Sequence, residues 1–245
     1  MYEEFAEFYD SLTDDVGYEK RTKYLCSLFS KFDRMPTLLL DAACGTGGFS
    51  NEFAGLGVSV IGVDMSCQML SVATQKSKDL GLDVLYLCQD LTELDLYGTV
   101  DGAICCLDSL NHITDYSDFK KAISRISLFL EKDRLFIFDV NTDYKHKYVL
   151  GNNTFVIEND ELYCVWQNEY NGEERTVDIS LDIFKNCDGK YTRNSEYITE
   201  RAYNSEEIES ALKKAGLKVE AVFGDVTNTA PKETEERIIY VTRKV

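Results

Sequence analysis

Through the first 140 residues, short apolar runs alternate with segments of helical periodicity. Leu38-Leu39-Leu40 stops at Asp41, Val58–Val63 stops at Asp64, and Val84–Leu87 leads to Asp90. Ala103–Leu107 leads to Asp108, and Leu135–Phe138 leads to Asp139. Runs this short and this continuously apolar predict strands buried on both faces, each finishing beside an acid. Helices between them make βαβ units around a parallel sheet. The helix signals agree. Ser66 is an N-cap ahead of Met69, Leu70 and Ala73, with Gly81 as the stop; Phe119, Ala122, Ile123 and Ile126 form one stripe. Asn204 with Glu207 gives a capping-box start to the stripe of Ile208, Ala211, Leu212 and Ala215, closed by Gly216.

From about Phe155 to Ala202 the period changes to two. Val177, Ile179, Leu181 and Ile183 alternate with Thr176, Asp178, Ser180 and Asp182, the pattern of a half-buried strand. Asn171-Gly172 and Asp188-Gly189 bracket it, and both dipeptides favour tight hairpins because they tolerate positive φ. Three antiparallel strands are expected at Leu162–Tyr170, Arg175–Asn186 and Tyr191–Arg201, with two more at Lys218–Phe223 and Ile238–Thr242. The chain reads as one α/β core in residues 1–150, an inserted antiparallel sheet in 151–203, and a return to the core in 204–245.

Composition narrows the partners. With 26 Lys+Arg against 43 Asp+Glu the formal charge is −17, which repels phosphate backbones and anionic bilayers, so neither nucleic acid nor membrane is expected as a partner. No apolar run is long enough to cross a bilayer, and the start MYEEFAEFYDSLTDD lacks the basic and apolar regions of a signal peptide. The 8 cysteines show neither disulfide-framework nor zinc spacing, so reduced thiols, no metal and a cytoplasmic location are expected.

The main chemical signal is Leu38-Leu-Leu-Asp-Ala-Ala-Cys-Gly-Thr-Gly-Gly-Phe-Ser50, a strand followed by a glycine-rich turn into a helix. Such glycines let the backbone approach a ligand, although a plain strand-to-helix turn uses them too. Asp64 ends the next strand, 23 positions after Asp41. An acid there accepts hydrogen bonds from a ribose diol, because a carboxylate offers only acceptors; capping of the helix near Ser66 fits the same geometry. Two nucleoside ligands remain open: a dinucleotide, whose GxGxxG pattern here has Ser50 in its third place, and S-adenosylmethionine, which carries no phosphate.

Asp41-Ala-Ala-Cys-Gly-Thr-Gly-Gly resembles the first motif of class I S-adenosylmethionine-dependent methyltransferases. Val60-Ile-Gly-Val-Asp-Met-Ser66 with Met69-Leu70 resembles the second, Cys88-Gln-Asp90-Leu91 the third, and Val100–His112 the fourth. Ala43 stands where many members have the loop's first glycine. The resemblance covers about Tyr9 to Val245 and implies a Rossmann-like doubly wound, mostly parallel sheet, the inserted sheet covering the acceptor side. It also implies methyl transfer to a small-molecule acceptor with a nitrogen or oxygen nucleophile. Gly45 and Gly47 would pass under the cofactor's methionine part, with Ala43 in the same turn and Asp41 orienting it. Asp64 would take the ribose, Met65 the adenine face, Asp90 and Leu91 the adenine edge, and Cys106 and Leu107 the pocket wall. Tyr9 and Tyr18 resemble a lid that closes over the cofactor, and Arg21 would reach its carboxylate.

Methyl transfer needs alignment and exclusion of water, and a base only where the acceptor must lose a proton. Catalytic candidates are His112, one of 2 histidines, and Tyr9. Asn111, His112, Trp166, Tyr191 and Arg201 are expected to build the acceptor pocket for a neutral or cationic molecule. A nicotinamide-dependent oxidoreductase and a non-catalytic S-adenosylmethionine binder are the competing readings. A monomer or homodimer is expected.

Overall fold

The computed structural model describes residues 5–12, 16–159, 162–187 and 190–245. Helices α1 (Phe5–Leu12) and α2 (Tyr18–Phe32) precede the five parallel strands of the core: β1 (Leu38–Ala42), β2 (Ser59–Asp64), β3 (Val84–Cys88), β4 (Gly102–Cys105) and β5 (Leu135–Asn141). Between them run α3 (Gly48–Gly55), α4 (Cys67–Asp79) and α5 (Tyr116–Phe129). Strands β6 (Thr154–Glu158), β7 (Leu162–Asn171), β8 (Thr176–Cys187) and β9 (Lys190–Arg201) follow, then α6 (Ser205–Lys214), β10 (Leu217–Gly224) and β11 (Arg237–Lys244). The seven-stranded sheet has the order β10-β11-β5-β4-β1-β2-β3, and β11 runs antiparallel to both neighbours. The order reverses beside β1, so β1 and β4 open a crevice at their carboxyl ends, where open α/β sheets bind ligands.

Alternation along each core strand feeds two buried layers. Leu40, Ala103, Phe136 and Phe138 pack on one face with α5 and α6, while Leu39, Ile104, Leu135 and Ile137 pack on the other with α2 and α3. This is why the runs are apolar at every position rather than at alternate ones. Ser66 caps α4 by accepting from Met69 N at 3.2 Å, and the capping box of α6 is present in both halves, 2.8 Å for Glu207 N to Asn204 Oδ1 and 3.0 Å for Asn204 N to Glu207 Oε2.

The inserted sheet has four strands, not three, in the order β6-β7-β8-β9. Strand β6 pairs through Val156 with Val165 at the sheet's edge, and most of its side chains are exposed, so it lacks the alternation that marks β8. Cys164, Val177, Ile179, Leu181 and Ile183 form the sheet's buried inner face, against which Ala6 of α1 and Met69 of α4 pack. The β7–β8 connection departs from the tight Asn-Gly turn: Asn171 pairs with Thr176, its Oδ1 accepts from Glu173 N at 3.0 Å, and the left-handed residue is Arg175 at φ 56°. Asp188-Gly189 lies outside the described residues, between the paired Cys187 and Lys190.

The expectation of uniformly reduced thiols is corrected. Cys67 and Cys88 form a disulfide, Cα to Cα 5.6 Å. In the parallel ladder Asp64 stands opposite Cys88, so the turn that begins α4 brings Cys67 back beside it, a proximity that their separation of 21 in sequence does not advertise. Cys26, Cys44, Cys105, Cys106 and Cys164 are free thiols. No helix among the described residues is long and apolar enough to cross a membrane.

Replacing Asn204 with alanine removes one half of the α6 capping box and is expected to cost about 1 kcal/mol, while serine there costs far less. Urea unfolding of the two variants measures the difference.

Candidate functional site

The crevice widens into a cavity of about 790 Å³ between the carboxyl ends of the core strands and the inner face of the four-stranded sheet. Its near wall is the turn after β1. Ala43, Gly45 and Gly47 take left-handed backbone at φ 57°, 53° and 76°. A Cβ on Gly45 would meet nothing within 4 Å, so the turn leaves open space at that point, whereas one on Gly47 would sit 2.4 Å from the Tyr86 hydroxyl. Asp64 braces the turn from β2: Oδ2 accepts from Gly45 N and Oδ1 from Ser66 N, each at 2.8 Å. Burial pushes the Asp64 carboxyl above its ordinary range against the pull of those amides.

Behind the turn lies Asp41, 2% exposed, whose Oδ2 accepts from Ser50 Oγ at 2.6 Å. The residue that departs from the dinucleotide pattern therefore supplies the hydroxyl that holds this acid. Burial raises the Asp41 carboxyl to about 7, with the Ser50 bond pulling the other way and the Asp64 charge adding to the rise.

Around the rim, Met65, Asp90 and Leu91 line the cavity next to Asp64, and Asp90 also caps the short turn Leu91–Glu93 by accepting from Thr92 N at 2.7 Å. The Cys67–Cys88 bond ties together the two loops that carry these residues. Helix α1 reaches over the cavity: Asp10 accepts from Thr46 Oγ1 at 2.7 Å and pairs with Lys76 at 2.9 Å, and Tyr9 faces inward. Burial, reinforced by the charges of Tyr18, Asp108 and Asp64, holds the Tyr9 hydroxyl protonated far above its ordinary range, so it offers a hydrogen and not a phenolate base.

The floor is the turn after β4. Leu107 and Asp108 are consecutive left-handed residues at φ 57° and 53°. Asp139 at the end of β5 accepts from both amides, at 2.9 and 2.7 Å, and Arg237 of β11 bridges Asp139 and Asp108. Burial opposes ionisation of Asp108, yet Arg237, with Lys145 behind it, outweighs that cost and holds the carboxyl well below the usual range. His112 lies in the following short turn, exposed at the cavity edge, and ligand atoms of Asp108, His112 and Glu200 lie within 4.8 Å of one another.

The cavity thus unites Tyr9, Arg21, Ala43, Gly45, Asp64, Met65, Asp90, Leu91, Leu107, His112 and Trp166 of the residues singled out from the sequence. Arg21 lines it with its guanidinium held by Asp225 at 2.7 and 2.9 Å. Others stand behind the wall. Tyr18 fills the space over Gly48, and Cys106 is buried beneath the floor. Asn111 is fully buried, donating to the backbone carbonyls of Asn141 and Arg201 and so joining β5 to β9. Arg201 points away, to Thr114 O and Glu207, and Tyr191 is 63% exposed on the sheet's outer side.

The family model "Methyltransferase domain" matches residues 39–133. An S-adenosylmethionine-dependent methyltransferase from Clostridium acetobutylicum ATCC 824 has the same fold at TM-score 0.90 and is 33% identical over 99% of this chain and 98% of that one. The chain belongs to the S-adenosylmethionine-dependent methyltransferases. A further relative is the dTDP-3-amino-3,6-dideoxy-alpha-D-glucopyranose N,N-dimethyltransferase of Streptomyces fradiae, 23% identical over 90% of this chain and 86% of that one. An amino pentose methyltransferase from Micromonospora echinaspora, solved with S-adenosylmethionine, shares the fold at TM-score 0.77, 17% identity and coverage of 96% of each chain. The donor set of this methyltransferase fits that cofactor: open space at Gly45, a half-buried carboxylate at Asp64, and an acid with an apolar neighbour at Asp90 and Leu91. The nicotinamide-dependent and non-catalytic readings give way to it.

Sequence reading passed over Glu200, Lys145 and Arg237, and gave Asp139 as the acid that ends a strand without a part in the site. Glu200 was within reach: the two-residue β8–β9 loop sets the register, Val177 then pairs with Glu200 and Ile179 with Ile198, and the inward face of β8 names the inward face of β9.

An acid whose pKa is higher folded than unfolded loses stability as pH rises through that interval. Native Asp41 keeps its proton between the ordinary 3.8 and about 7, while the unfolded chain has already lost it. Asp41→Asn, which still accepts from Ser50, is expected to melt above the parent at pH 8 and level with it near pH 4; calorimetry at both values measures this.

Proposed function

We propose that this methyltransferase acts on a nitrogen or oxygen nucleophile of a small molecule held under the four-stranded sheet. One observation supports this above the rest: a single cavity joins the glycine turn, Asp64 and Asp90 at one end to His112, Trp166 and an apolar sheet face at the other. Bound S-adenosylmethionine supplies an electrophilic methyl carbon on a sulfonium. Gly45 and Gly47 let the backbone pass close to its amino-acid part, with Asp41 fixing the turn from behind. Asp64 accepts from the ribose hydroxyls, Met65 and Leu91 flank the adenine, and Asp90 accepts from its amino group. Leu107 completes the wall, and α1, latched through Asp10, brings Tyr9 over the site and excludes water.

The acceptor's lone pair forms the new bond to carbon while the carbon–sulfur bond breaks, its electron pair returning to sulfur. The positive charge passes to the acceptor, which must release a proton, and His112 at the cavity edge is placed to take it. The amino-sugar relative, an N,N-dimethyltransferase, supports a nitrogen nucleophile. The charge of −17 supports a soluble acceptor over nucleic acid or a membrane surface, and a monomer or homodimer working in the cytoplasm completes the reading.

Asp64→Ala is expected to weaken S-adenosylhomocysteine binding about a hundred-fold or more, the equivalent of two charge-assisted hydrogen bonds, and isothermal titration reads it directly. NADH binding in place of S-adenosylhomocysteine would reject the reading. His112→Ala is expected to lower turnover by about a hundred-fold or more at unchanged S-adenosylhomocysteine affinity, measured with whichever acceptor a labelled-methyl screen of metabolites identifies.

A further inference from the structure

We infer that Glu200 is the acceptor-recognition residue, and that it selects a monocationic amine carried on an apolar body. The inference rests on the methyltransferase reading and names the substrate class of the same cavity.

Glu200 is 5% exposed, yet it lines the cavity. Its Oε2 accepts from Asn141 Nδ2 at 2.9 Å and lies 3.1 Å from Nε2 of the fully buried His146. With Nε2–H donating, His146 spends its ring on holding this carboxylate; its Nδ1 has no partner among the described residues. Two buried side chains thus fix the orientation of a third that reaches the cavity, the arrangement of a group built to meet a ligand.

The local charge is unbalanced. Asp108, Asp139 and Glu200 face two cations, Arg237 and Lys145. Arg237 is consumed by Asp108 and Asp139, and Lys145 reaches Asn141 Oδ1 at 3.0 Å while its charge acts on Asp108. Counted by formal charge, one negative charge is left over at this corner, and a carboxylate only 5% exposed favours a cation that brings its own N–H donors. Over the whole cavity six carboxylates line the wall against Arg21, Lys145 and Arg237, and Arg21 is held by Asp225.

On the side of the four-stranded sheet the wall is apolar. Ile157, Cys164, Trp166, Ile179, Leu181 and Ile198 present the inner face of the sheet to the same space, and the Trp166 indole N–H is already turned to Asn168 Oδ1 at 2.6 Å. A ligand with hydroxyls around its body would find few partners there, whereas an aryl or alkyl body would cover the face and place its ammonium between Glu200, Asp108 and His112, where loss of one proton to His112 frees the nitrogen lone pair that then attacks the methyl carbon. Those three also have the composition of a cation site, but Asp108 already carries the Arg237 guanidinium, which disfavours a second, divalent charge beside it.

The test is isothermal titration of the enzyme saturated with S-adenosylhomocysteine, using 2-phenylethylamine, 2-phenylethanol and 3-phenylpropionate as probes that share one apolar body. The amine is expected to bind about ten-fold or more tightly than the alcohol, one charge-assisted hydrogen bond, with the acid weakest. Glu200→Gln, which keeps the shape and the acceptor for Asn141, is expected to erase the preference for amine over alcohol at unchanged S-adenosylhomocysteine affinity. Equal binding of amine and alcohol by the parent enzyme, tighter binding of the acid, or no binding of the amine overturns the inference, and none of these depends on the variant. A preference that survives in Glu200→Gln, or stoichiometric Zn²⁺ binding lost in that variant, overturns it too. Failure to bind S-adenosylhomocysteine at the outset instead rejects the methyltransferase reading beneath it.

Discussion

The site hangs on a buried guanidinium. Arg237 enters from the antiparallel strand β11 and bridges Asp139 and Asp108, the acids at the ends of β5 and of the β4 turn. Asp139, 4% exposed and paired with Arg237, uses both oxygens to hold the amides of Leu107 and Asp108. Those residues occupy left-handed backbone at a cost of about 1–2 kcal/mol each, which the two amide bonds offset. Losing one partner of such a buried pair costs about 3–5 kcal/mol, because the remaining charge stays buried without compensation. The turn that leads to His112 is therefore set by a residue near the far end of the chain, and it is the antiparallel direction of β11 that brings Arg237 to the carboxyl edge of the sheet.

This dependence also explains what the sequence could reveal. Apolar runs ending in an acid are a local signal, and the five core strands, with Asp41, Asp64, Asp90, Asp108 and Asp139 at or near their carboxyl ends, were legible from it. So were the caps at Ser66 and Asn204, where donor and acceptor lie three residues apart. What escaped is non-local. Strand β6 earns its place only by pairing with β7. The Cys67–Cys88 bond exists because two parallel strands lie side by side, and Arg237 and Asp108 pair across 129 positions of sequence.

The acceptor side was half legible for a related reason. Aromatic side chains and an arginine drew attention to Trp166, Tyr191 and Arg201, but a strand alternates, and only its phase tells which residues face inward. Trp166 is in phase with the β8 face; Tyr191 and Arg201 are out of phase, and Glu200 takes the inward position. Asn111 has a supporting task, its amide holding β5 and β9 at a fixed spacing. The glycine turn combined both kinds of signal. Its left-handed residues are read locally, while Tyr86 and Tyr18, from other elements, fill the space that a side chain at Gly47 or Gly48 would need.

The four-stranded sheet is spliced between β5 and α6, after the last parallel strand has been laid down and before the chain returns to finish the core. Every residue assigned to the nucleoside comes from β1 to β3 and the turns after them, and the apolar wall of the chamber comes from the splice. Heredity can therefore edit the two halves separately. Under the proposed assignment, exchanging a few inward side chains of β7, β8 and β9 would redirect the enzyme to a new acceptor and leave the donor half untouched, so a lineage built on this plan could diversify what it modifies without relearning how to hold its methyl source.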